Sequence, residues 1–132
     1  MIWSKKFVTN VGPIDRQHQL LAALCDMYRV IVDLGMEREL CALMLADLAR
    51  DANAHFDVED EMMPCRSRMT ALHHHRADDD HVFRELRRYQ ARLAESEWSA
   101  DDARDCLDMF ERWLVDHMTH LDADIHSDVI AA

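Results

Sequence analysis

Apolar residues recur along this chain at the three- and four-residue spacing of helices rather than the alternation of strands. From Asp15 to about Leu34 the run QHQLLAALCDMYRVIVDL is amphipathic, and Gly35 stands where a helix end favours glycine. A second helix is predicted from about Glu37 to Met63, with Met44, Leu48, His55, Glu59 and Met62 or Met63 on one stripe. Pro64 stops it, and CRSRM forms the connection. The third spans about Thr70 to Ala94. Glu95–Ser99 then loops into a fourth, from Ala100 to about Ser127, where Ser99 and Asp102 have the spacing of a capping box. Residues 1–13 read as an irregular arm ending at Gly12-Pro13, with Trp3 and Phe7 laid on the body. Four amphipathic helices joined by short loops predict an all-α fold, an up-down-up-down four-helix bundle with an N-terminal arm.

Composition agrees with that picture. The 132 residues suit one domain with a real core, 1–132, and only two Gly and two Pro leave few turn formers. A formal net charge of −11 repels polyanions, so nucleic acid and anionic membrane surfaces are poor partners, while cations are natural ones. The four Cys (25, 41, 65 and 106) form no CxxC pair, which argues against a zinc knuckle or a dithiol centre. MIWSKKFVTN lacks the apolar core of a signal peptide, and no stretch approaches a membrane span. A cytoplasmic location is therefore expected.

The unusual feature is polar residues on the apolar stripes. His18 shares its side of the first helix with Leu21, Ala22 and Cys25; His55 and Glu59 lie four apart on the second; His117 follows the face of Phe110, Trp113 and Leu114, with Asp122 beyond it. The nine residues HHHRADDDH, 73–81, hold four imidazoles and three carboxylates, and helical phase sorts them. The frame through His74 continues to Asp78, His81, Glu85, Arg88 and Arg92, wholly polar and solvent-facing. The frame through His75 continues to Asp79, Val82, Leu86, Tyr89 and Leu93, a core stripe whose first two members are polar. His73 lies between the two. A lone His on a core stripe is ordinarily a hydrogen-bonded core residue, and an i,i+4 His–Glu pair is ordinarily a surface contact. Several such groups on converging stripes need a shared cation or one another, because buried unpaired charge is costly.

The segments IDRQHQLL, HFDVEDEMM and WLVDHMTHLD, in this order, resemble the signature segments of bacterial hemerythrins, non-haem di-iron four-helix bundles. The likeness extends over essentially the whole chain and includes Trp3 and the arm before Ile14-Asp15. It implies that His18 and His55 bind one iron, that Glu59 and Asp122 bridge to a second, and that His117 binds that second iron. The family's third segment reads HxxxH. The core stripe here supplies His75 and Asp79, if the CRSRM loop carries one extra residue; counting without a gap selects His74 and Asp78 instead, and His81 is a further candidate for the fifth imidazole. With His75 and Asp79 the second His of the motif is replaced by Asp. Four imidazoles with three carboxylates form a harder, more anionic donor set, which favours ferric iron and makes reversible oxygen binding less secure.

The resemblance implies an oxygen-binding protein with two non-haem irons, serving storage, delivery or sensing, with Trp113, Leu114 and Met118 near the pocket. Nitric oxide and peroxide are alternative ligands. A di-iron redox enzyme (oxidase, peroxidase or nitric-oxide reductase) is the second reading, motivated by Asp79. A metal-free helical interaction module is the third. Cys25 and Cys106 read as packing residues, Met62 and Met63 as core filler, and His120 and His126 as exposed.

Overall fold

A computed structural model of the chain describes residues 2–9, 12–35, 37–62, 81–95 and 98–121. Among them lie four α-helices: α1 (Gly12–Leu34), α2 (Arg38–Met62), α3 (residues 81–94) and α4 (Ala100–Asp116), with no strand. A short 3-10 turn at Lys5–Phe7 precedes them and a π-helical turn at His117–Leu121 follows. Helix α1 begins earlier than expected. Gly12 and Pro13 belong to it, because proline in a first turn needs no intrahelical donor and brings its φ preset. Gly35 closes α1 with φ +93°, a left-handed conformation that a side chain would strain, and its N–H reaches the Val32 carbonyl at 3.1 Å.

Contacts between the rods give alternating directions. Arg29 of α1 pairs with Asp108 and Glu111 of α4 at 2.6 and 2.8 Å, while His18 near the other end of α1 meets His117, so α1 and α4 run antiparallel. Tyr28 of α1 donates to Asp47 of α2 at 2.5 Å, across the short Gly35–Glu37 connection. Phe56 of α2 lies edge-on to Phe83 of α3, whereas Arg38, at the opposite end of α2, donates to the Glu95 carbonyl. The expected all-α four-helix bundle is what forms.

The core follows the predicted stripes. Leu21, Ala22 and Cys25 of α1, Met44 and Leu48 of α2, and Phe110, Trp113 and Leu114 of α4 are all buried. On α3 the phase assigned from sequence holds: Val82, Leu86, Tyr89 and Leu93 are buried, while His81, Arg88 and Arg92 are exposed. The arm is tied down as expected, with Phe7 buried and Trp3 packed on the core. Thr9 donates to Asp15 through both its N–H and its hydroxyl, at 2.9 and 2.8 Å. Cys25, Cys41 and Cys106 are buried free thiols; burial pushes the Cys106 thiol up to about 12, and Cys25 higher still, so neither supplies a thiolate.

The capping box forms at α4. Ser99 N–H donates to Asp102 Oδ2 at 2.8 Å, and the Asp102 N–H reaches Ser99 Oγ at 3.4 Å. The Ser99 N–H, helped by the Arg92 guanidinium at 2.8 Å, holds the Asp102 carboxyl below its ordinary 3.8. A carboxyl lowered by folding contributes stability that is present above its unfolded value and lost as pH falls through the folded one. Wild type should therefore lose part of its melting temperature between about pH 5 and pH 3, and Asp102→Asn should lose less. Thermal melts across that window check it; parallel curves for the two proteins would remove the capping box from the acid response.

Candidate metal centre

Three helices each deliver one imidazole to the same buried point. His18 (α1), His55 (α2) and His117 (first residue of the π turn) are all essentially inaccessible to solvent. His55 Nε2 lies 3.0 Å from His18 Nε2 and 3.0 Å from His117 Nε2, and the three donor atoms all fall within 4.8 Å of one another. The reason is helical register: each His shares a ridge with core residues one turn away, so the ridges that pack the bundle also converge these rings.

Neighbouring side chains fix the rings. Gln17 Oε1 lies 3.1 Å from His55 Nδ1. An amide oxygen only accepts, so Nδ1 carries the proton and Nε2 turns a lone pair to the centre. Trp113 stacks on His117 at 5.0 Å and 27° between planes, and Phe56 stands edge-on to the same ring at 5.6 Å. Leu114 and Met118 are buried beside them on α4 and its π turn. Trp113 thus borders the centre as the sequence predicts.

This donor set fits a transition-metal cation. Imidazole nitrogen suits zinc, copper, iron and nickel. A metal holding nitrogens at about 2.1 Å in octahedral directions sets adjacent donors about 3.0 Å apart, the separation found on both sides of His55. Gln17 supplies the outer hydrogen bond that metal-binding histidines ordinarily have. The resemblance assigns His117 to a different ion from His18 and His55, yet here His117 lies as near to His55 as His18 does.

Of the other candidates, Glu59 falls on α2 four residues past His55, hence on the same face by register; its side chain is not among those described. His75, Asp79 and Asp122 lie outside the described residues, as do His74 and Asp78. His81 is exposed, on the rim of a 300 Å³ pocket shared with Met109, Arg112, Trp113 and Asp116. Gln17, which contacts His55, is the neighbour of the centre that sequence reasoning missed. Its one signal is adjacency to His18, and that points to His55 only once the α1–α2 packing is known.

A helical bundle with buried imidazoles converging from three of its rods is one that could hold a cation. Comparison with known families makes the class specific: the model of the hemerythrin HHE cation binding domain matches residues 9–127. The chain belongs to that family. Neither the curated proteins nor the solved structures contain a match to it. Among the described residues no helix is long and apolar enough to cross a membrane.

Replacing Gln17 with leucine is expected to leave the fold intact and weaken cation binding by about 10- to 100-fold, the usual loss when an outer hydrogen bond to a ligating His is removed. Titration against a chelator of known affinity measures it. Equal affinities in the two proteins would show that Gln17 does not orient His55.

Proposed function

We propose that this protein binds two non-haem irons and, through them, oxygen. The donors are His18, His55, Glu59, His75, Asp79, His117 and Asp122, with Glu59 and Asp122 bridging. The observation that carries this reading is the meeting of three buried Nε2 atoms from α1, α2 and the end of α4 in a chain of the hemerythrin HHE family.

Register supports the remaining donors. With Val82, Leu86, Tyr89 and Leu93 buried on α3, positions 79 and 75 lie three and seven residues before Val82, on the same ridge if the helix continues backwards. The π turn bears on Asp122. In an α-helix five residues rotate through about 500°, leaving position 122 about 140° away from His117. The wider i→i+5 closure of His117–Leu121 turns less per residue, so a chain continuing in that geometry would bring position 122 nearer the His117 face.

Bound iron supplies the electrons that oxygen binding draws on. The chain does the rest. Imidazole and carboxylate donors hold the ions, and Gln17 keeps His55 in one tautomer. Phe56 and Trp113, packed on each other and on His117, give the centre a buried apolar side that excludes water. Asp79, in place of a second imidazole, adds negative charge and favours the oxidised state. That same residue motivates a second reading, a di-iron oxidase, peroxidase or nitric-oxide reductase.

Anaerobic loading with ferrous iron, followed by metal analysis and exposure to oxygen, tests the proposal. Two irons per chain and a new visible absorption that reverses under vacuum are expected. One iron per chain would support a single-cation site built on the three imidazoles. Less than one would support the metal-free module, and sustained peroxide turnover would support the enzyme.

A further inference from the structure

Helix α1 carries a second apolar ridge that the bundle does not use. Leu20, Leu24, Met27, Ile31 and Leu34 recur at steps of four, three, four and three, the seam spacing of paired helices. Leu20, Met27 and Leu34 are exposed, Leu34 by 82%, and Leu24 and Ile31 are only partly covered by the core. Leu40 and Leu43, at the start of α2, are exposed too. The ridge is about 21 Å long at a helical rise of 1.5 Å per residue. It contains no charged residue, although Asp and Glu number 26 in the chain.

We propose that this face is an interface with a second copy of the chain, the α1 ridges packing about a two-fold axis. Three features commit it to that occupant. A heptad-spaced ridge without charge is complementary to itself, which an isologous contact requires. The apolar side chain left open amounts to roughly 600 Å², at the upper end for a monomer. Counted on both partners, it reaches about 1,200 Å², the lower bound of a stable interface. Finally, Asp51 is the one charged residue among those lining the groove beside the ridge, and Arg50 pairs with it at 3.1 Å, so the groove meets another copy with that carboxylate already paired. The remaining repulsion between two chains of charge −11 is long-range and is screened by salt.

Sedimentation of the full chain, iron-free and iron-loaded, at about 100 µM tests this, since interfaces of this size commonly hold at micromolar concentrations or below. A dimer is expected, tightening by severalfold as salt rises. Met27→Lys and Leu34→Lys should each weaken it at least tenfold with helicity unchanged by circular dichroism. Gln90→Lys, which adds the same charge on exposed α3 surface, should not. A monomeric wild type, an assembly larger than two, or a dimer unmoved by Met27→Lys and Leu34→Lys overturns the proposal. Because iron-free protein is included, that failure is separate from failure of the metal reading.

Discussion

His55→Ala is expected to abolish the stabilisation of this protein by metal. His55 Nε2 lies 3.0 Å from both His18 Nε2 and His117 Nε2, so it is the donor through which α1 and the end of α4 are joined at the centre. Removing it leaves two imidazoles facing across a cavity, with no third nitrogen between them. A ligand that binds only the folded state stabilises it by about 2.7 kcal/mol at a hundredfold excess over its dissociation constant, on the order of 10 °C in a chain of this size. Wild type should show that rise on anaerobic addition of ferrous iron, and His55→Ala should show almost none. The variant is less costly to the metal-free fold than a buried aromatic truncation, because it also relieves the crowding of three polar rings in a dry core. Calorimetry of both proteins with and without iron measures the difference. An equal rise in the two would mean that iron binds elsewhere and that the converging imidazoles are core packing.

The helices and their inward faces are legible in the sequence because amphipathic periodicity and packing obey the same geometry. Val82, Leu86, Tyr89 and Leu93 are buried where the frame through His75 puts them, and His18, His55 and His117 meet because each lies on such a frame. What escapes is local deviation from that geometry. Pro13 reads as the end of an arm, yet a proline also opens a helix, and only the packing of Ile14 against the bundle decides between the two. The π turn at His117–Leu121 carries no Gly or Pro to announce it, so the segment reads as unbroken α-helix. The outer ridge of α1 is hidden for the opposite reason. QHQLLAALCDMYRVIVDL is apolar on more than one face, and periodicity alone credits every apolar position to the core. Gln17 is legible only after the neighbouring helix is in place.

Within HHHRADDDH, His75→Ala should cut iron affinity about 100-fold or more, whereas His74→Ala should leave it within about twofold, since loss of even an outer-shell partner costs 10- to 100-fold and a solvated residue costs little. The expectation follows from α3. Its buried residues fix the rotation of the helix at Val82; a helix continued backwards at 100° per residue would put position 75 on the core ridge and position 74 towards the side that carries exposed His81 and Arg88. Asp79→His, on the same ridge, should keep two irons, replace a carboxylate by an imidazole, and slow oxidation of the ferrous protein, because a less anionic donor set stabilises the ferric state less. Competition with a chelator reads the two alanine variants, and stopped mixing with oxygen followed by absorption reads Asp79→His. If His74→Ala proved the damaging change, the phase of this segment would be shifted by one residue from that of α3. Asp78 would then take the place given to Asp79, and Asp79→His would leave both the spectrum and the oxidation rate as they are in wild type.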